Sequence, residues 1–87
     1  MRRRRLVITK AASRTIRRLP AHVQKTIAAA IEAYAAGDLS NAAIVKLRGR
    51  RRPEYRLRVG DYRVIHELKD DVIEIRAVLD RKDAYRT

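Results

Sequence analysis

The sequence predicts a two-layer α+β domain in which an N-terminal strand and a helical hairpin pack on an antiparallel β-sheet, in the order β-α-α-β-β-β. Three observations predict it. Apolar residues recur at helical spacing from Ala12 to Tyr34, with an interruption at Pro20. Apolar and polar residues then alternate from Tyr55 to Leu79, the period of half-buried strands. Two dipeptides suited to tight turns, Gly60-Asp61 and Asp70-Asp71, cut that alternation into separate strands. With 87 residues, 46% of them hydrophobic, the chain makes one domain over 1–87, with a single modest core.

Arg4 to Thr9 reads as the first strand. Thr9 can cap a helix beginning near Lys10, which turns Ala12, Ile16 and Leu19 to one side and Arg14, Arg17 and Arg18 to the other. Pro20, placed at a first helical position, opens a second helix. Val23, Ile27, Ala30, Ile31 and Tyr34 form its buried stripe, and Gly37 stops it. Asp38 to Val45 is expected to be a connector, and Lys46 to Pro53 (KLRGRRRP) a basic loop.

The segment Glu54 to Leu68 (EYRLRVGDYRVIHEL) carries the most information. If Gly60 supplies the positive φ of a type II′ hairpin, Arg58 lies opposite Arg63, and Arg56 opposite Ile65, on one face. Tyr55, Leu57, Val59, Tyr62, Val64 and His66 then face the core. A two-residue turn at Asp70-Asp71 sets Ile73 against Leu68, Ile75 against His66, Ala77 against Val64 and Leu79 against Tyr62. Glu67, Glu74 and Arg76 fall on the arginine side. The expected sheet therefore has one apolar and one basic face. Like charges paired across strands cost free energy, so a polyanion is the natural occupant of the basic face, with RNA the leading candidate.

The bulk charge agrees. A net charge of +12 and a sequence pI near 11.2 imply an anionic partner, and arginine, which suits bidentate phosphate contacts, dominates over lysine. The chain has no Cys, which excludes a disulfide framework, a thiol nucleophile or a thiolate metal site. No His pair or carboxylate cluster has metal-ligand spacing, and no glycine-rich phosphate loop is present, so no metal or cofactor is expected. After the arginines at the start, only Leu6-Val7-Ile8 are apolar before Thr9. No signal peptide or membrane span is expected, and the expected location is the cytoplasm. His66 falls on the apolar face as a structural histidine, and His22 is expected at the surface.

Four strings in this order, LPAHVQKTI, VKLRG, YRLRVGDYRVIHEL and LDRKDAYR, give the chain a resemblance to the RelE/ParE superfamily of bacterial toxin–antitoxin toxins over nearly its full length. The resemblance implies a compact toxin held inactive by a cognate acidic antitoxin. RelE-like members act on the ribosome and cut mRNA; ParE-like members inhibit DNA gyrase without nuclease activity. Carried over by position, the pattern makes Arg58, Arg63, Arg81 and Tyr85 the catalytic candidates. Arg56 joins them on the strand, and Lys46, Arg48, Arg50 and Arg51 are the further RNA-binding candidates. Two departures bear on the chemistry: arginine stands where ribosome-dependent members often carry lysine, and Asp80 where others carry histidine. The leading expectation is a ribosome-dependent, metal-independent mRNA endoribonuclease that inhibits translation. The alternative is a gyrase inhibitor, and a third reading is a plain basic nucleic-acid-binding domain.

Overall fold

The computed structural model describes residues 3–40, 42–47, 49 and 54–81. Strand β1 (Arg5–Ile8) leads into helices α1 (Lys10–Arg17) and α2 (Ala21–Ala35), and strands β2 (Ala43–Leu47), β3 (Glu54–Val59), β4 (Tyr62–Lys69) and β5 (Val72–Asp80) follow. The five strands form one sheet in the order β1-β5-β4-β3-β2. The two-layer α+β architecture is as expected, with two differences. β1 runs parallel to β5, so the sheet is mixed. The segment read as connector and basic loop contributes a further strand, β2, antiparallel to β3.

Local chemistry sets the helix ends. The Thr9 hydroxyl accepts from the Ala12 amide at 3.2 Å, which satisfies one of the otherwise unpaired donors at the start of α1. Pro20 is not the first residue of α2 but its N-cap, extended at φ −55° and ψ 148°. Its carbonyl accepts from Val23 and Gln24. At the other end Gly37 adopts φ 89°, and the amides of Gly37 and Asp38 reach back to the carbonyls of Tyr34 and Ala33. That double closure needs a left-handed residue, which glycine adopts without strain.

Both helices cover the same face of the sheet. Ala12, Ile27, Ile31, Tyr34 and Ala35 meet Leu57, Val59, Val64, Ile73, Ile75 and Val78 in one buried cluster. Inside it lies one polar group. His66 is fully buried; its Nδ1–H donates to the Val64 carbonyl at 3.1 Å, and its Nε2 accepts from the Tyr34 hydroxyl at 2.9 Å. Tyr55 stacks on the opposite side of the ring, with centroids 5.9 Å apart. Both nitrogens of the neutral ring are thus satisfied. Burial pushes its pKa below the usual histidine range; the Val64 bond opposes that shift and the Arg4 charge adds to it.

The expected register holds through the first hairpin and half of the second. Val59 pairs with Tyr62, Arg58 with Arg63, Leu68 with Ile73, and His66 with Ile75. Beyond that point the expectation fails. Ile65 pairs with Ala77, so Arg76 is an extra residue, a β-bulge in β5. Val64 therefore faces Val78 rather than Ala77, and Leu79 faces Arg63 rather than Tyr62. Val78 is buried in the core, and Leu79 moves to the arginine face.

Two outcomes test the buried histidine. Because its folded pKa is lowered, the histidine's contribution to stability is present above the unfolded value of about 6.5 and is lost as pH falls through the folded one. Urea unfolding should show stability declining as pH falls below about 6.5, and His66→Gln should flatten that decline. Equal slopes in the two proteins would show that the acid sensitivity arises elsewhere. Tyr34→Phe should cost about 1–3 kcal/mol at neutral pH, because it strands the buried Nε2 acceptor.

Candidate functional site

The site is built on the β3–β4 hairpin. Gly60 has φ 57°, whereas Asp61 is not in the left-handed region, as a type II′ turn requires. A Cβ on Gly60 would meet nothing within 4 Å, so backbone conformation rather than space demands glycine there. The turn places Arg58 directly opposite Arg63, and β2 brings Ala43 beside Arg58 and Val45 beside Arg56. This is the sheet face away from the helices.

The two paired arginines differ in environment. Arg58 is exposed, whereas Arg63 is only 3% exposed. The Arg63 Nη1 donates to the carbonyls of Gly60 and Tyr62, both at 3.0 Å. Its guanidinium is folded onto its own turn and acts as a strut, so the paired cations are not two free charges side by side. Removing it would strip a charged donor from two turn carbonyls, not merely relieve repulsion. Arg56 is half-buried opposite Ile65.

Arg81 joins this end of the sheet through its backbone. Its amide donates to the Asp61 carbonyl at 2.7 Å, one step past the Tyr62–Asp80 pair, and its side chain is exposed. The bulge at Arg76 makes that meeting possible by shifting the register of β5 by one residue. Arg58, Arg63 and Arg81 are therefore gathered around one turn. Lys46 is not. It pairs with Tyr55 on β2, which puts it on the helix-side face, away from Arg56 and Arg58. Tyr85, Arg48, Arg50 and Arg51 lie outside the described residues.

The far end of the same face is acidic. Glu54 pairs with Glu67, and Glu67 with Glu74, so three carboxylates stand in a row across β3, β4 and β5. Arg76 holds all three: Nη1 lies 2.8 Å from Glu74 and 3.2 Å from Glu67, and Nε lies 3.6 Å from Glu54. The face is thus bipolar, arginine at the hairpin and carboxylate across the middle. The sequence places Glu67, Glu74 and Arg76 there correctly, but Glu54 joins them only once the hairpin register is extended to its last pair.

Chemically, the hairpin end offers fixed cations and no imidazole. His66 is sealed in the core, and His22 is exposed on α2, in the other layer. Such an end can bind and polarise a phosphodiester, since preorganised cations aimed at developing charge are often the largest catalytic contribution. An arginine cannot itself take up a proton.

Comparison with known proteins gives this geometry its family. Residues 6–85 match the family described as ParE toxin of type II toxin–antitoxin system, parDE. No curated protein matches the sequence. Among solved structures, the chain is similar to one in the archaeal RelE–RelB complex from Pyrococcus horikoshii, with 26% identity and a TM-score of 0.76 over 99% of this chain and 100% of that one. It is also similar to a chain of the RelB–RelE antitoxin–toxin complex from Methanococcus jannaschii, at 32% identity and a TM-score of 0.73, covering 91% of this chain and 94% of that one. A third likeness is to the toxin–antitoxin complex RelBE2 from Mycobacterium tuberculosis, with 26% identity, a TM-score of 0.65, and coverage of 92% and 100%. A match across nearly the whole sequence, on the same two-layer fold, makes this chain a member of the ParE toxin family of type II toxin–antitoxin systems, within the RelE/ParE superfamily.

Proposed function

We propose that this toxin is a ribosome-dependent mRNA endoribonuclease that inhibits translation in the cytoplasm, needs no metal or other cofactor, and is neutralised by a cognate acidic antitoxin. The observation that carries the reading is the gathering of Arg58, Arg63 and Arg81 around the Gly60-Asp61 turn, on the sheet face opposite α1 and α2. In this scheme the 2′-oxygen of the message loses its proton and attacks the adjacent phosphorus. The bond to the 5′-oxygen breaks, and that oxygen takes up a proton. Arg58 and Arg81 stabilise the charge that builds on the phosphorane oxygens. Arg63 holds the turn that positions them. Tyr85, with an ordinary pKa of about 10, is the proton-transfer candidate once neighbouring cations lower that value. Arg56, Arg48, Arg50 and Arg51 hold the strand. Lys46, on the other side of β2, meets RNA only as it passes the sheet edge.

A second reading, a DNA gyrase inhibitor that cuts nothing, is favoured by the match to the ParE family and by the absence of an imidazole at the hairpin end. Mapping message ends by primer extension in a translating extract, beside a gyrase supercoiling assay, separates the two. New 5′ ends within translated codons with supercoiling intact support the nuclease; intact messages with inhibited supercoiling replace it by the second reading.

The paired arginines should respond differently to substitution. Arg58→Ala should lower cleavage about 10²–10³-fold with the melting temperature nearly unchanged, because the residue is exposed. Arg63→Ala should cost about 2 kcal/mol of stability in addition to activity, because two turn carbonyls lose a charged donor. Thermal unfolding beside single-turnover cleavage reads both effects; equal melting temperatures in the two variants would remove Arg63 from its role as a strut. The antitoxin should bind partly through this same face. Its affinity for Arg58→Ala/Arg81→Ala should fall and depend less steeply on salt, whereas parallel salt slopes would place its docking elsewhere.

A further inference from the structure

The first helix carries a second concentration of cations that the hairpin end does not use. Lys10, Arg14, Arg17 and the C-cap Arg18 are all exposed. Their spacing places them along one side of α1, over about 12 Å at the helical rise. The other side of the helix carries Ala12 and Ile16 into the core. Because the helices cover the face of the sheet opposite Arg56 and Arg58, this stripe lies across the domain from the hairpin.

The stripe is locally unfavourable. Lys10 with Arg14, and Arg14 with Arg18, are like charges four residues apart, which destabilise a helix. Lys10 also occupies the first turn, where the helix dipole disfavours a cation and where no acidic residue stands. Arg14 and Arg17 in the last turn, and the C-cap Arg18, gain from the dipole at the other end. No Asp or Glu precedes Glu32 in the chain, so no near neighbour in sequence relieves the repulsion. The repulsion among Lys10, Arg14 and Arg18 is offset by no carboxylate nearby in sequence, and such a surface suits an anionic partner.

We infer that the outer side of α1 is a second docking surface, which takes the phosphate backbone of a double-helical nucleic acid independently of the strand engaged at the hairpin. Two features favour this occupant over an acidic protein. Guanidinium groups at fixed spacing on a rigid helix suit a regular phosphate lattice, and such contacts position without reading sequence. Protein interfaces set arginine beside aromatic or other apolar anchors, and the exposed large apolar residues of the described chain, Val7, Ile8, Leu39 and Val45, all lie off α1. The inference rests on the charge geometry of α1 and stands whether or not the hairpin end cuts RNA.

The test uses the isolated full chain and a double-stranded RNA of about 20 base pairs and unrelated sequence, with binding followed by fluorescence anisotropy over a salt series. The Lys10→Gln/Arg14→Gln/Arg17→Gln/Arg18→Gln variant should bind at least about tenfold more weakly near 0.1 M salt, with a salt slope shallower by about 3. Arg58→Gln/Arg81→Gln should weaken duplex binding less per cation removed than the helix variant does. A wild-type chain that ignores the duplex, an unchanged slope in the helix variant, or an equal loss per cation in the hairpin variant would overturn the inference. So would a polyglutamate of matched charge that competes as well as the duplex. A measurement on the wild type guards against a helix variant that fails to fold: bound duplex should protect Lys10, but not the exposed Lys69, from amine acylation. Equal labelling of Lys10 with and without duplex would sink the proposal.

Discussion

One extra residue in β5 governs what the hairpin end of this toxin can be. With Arg76 bulged out, β5 changes register against β4 between Ile65 and His66. Everything after it is re-aimed: Val78 enters the core, Leu79 crosses to lie opposite Arg63, and the Arg81 amide arrives at the Asp61 carbonyl. Without the bulge, Leu79 would pair with Tyr62 and Arg81 would fall one residue past the turn. The bulged side chain has its own anchor, since Arg76 is the cation that holds Glu54, Glu67 and Glu74 together. Three carboxylates in adjacent cross-strand positions repel one another, and a single guanidinium among them offsets that repulsion. The acidic row and the placement of Arg81 are two consequences of one insertion.

The core supports the same end by different means. His66 sits on the central strand β4 and is held by Val64 on its own strand and by Tyr34 from α2. That bond ties the helical layer to the central strand of the sheet at one defined tautomer. The strand carrying Arg63 is thus fixed from within, while the Arg63 guanidinium fixes the turn from without. Strand β3 presents Arg58, and a backbone bond to the turn holds Arg81, a condition for preorganised electrostatics.

Much of this was legible in the sequence because the relevant signals are local. The Gly60-Asp61 turn sets the pairing of Arg58 with Arg63, since a hairpin's register follows from its turn. Thr9 and Gly37 mark helix ends through caps that need only a few neighbouring residues. What escaped was non-local. Strand β2 is short and lies at the sheet edge, and Lys46 interrupts its apolar run, so it reads as connector and loop; only the β-branched pair Ile44-Val45 hinted at a strand. The parallel pairing of β1 with β5 joins residues far apart in the chain, and no local pattern encodes it. The bulge is invisible because Arg76 and Ala77 suit either register. The folding of the Arg63 guanidinium back onto its own turn has no signature in the alternation, so the sequence read as a free cation what the fold makes a strut.

The net charge of this protein also sets its stability problem. A chain at +12 repels itself in the folded state, and it concentrates cations at the hairpin and along α1, on opposite sides of a molecule whose shortest extent is 25 Å. At physiological salt the screening length is about 8 Å, so the two clusters scarcely sense each other, but the charges within each repel strongly. The acidic row cannot relieve them, because its carboxylates are already committed to Arg76. Any polyanion that binds the native state at a hundredfold its dissociation constant adds about 2.7 kcal/mol, a large share of what a small domain possesses. A partner that covers either cluster therefore acts on folding as well as on activity. In this fold, stability and occupancy of the basic surfaces are coupled.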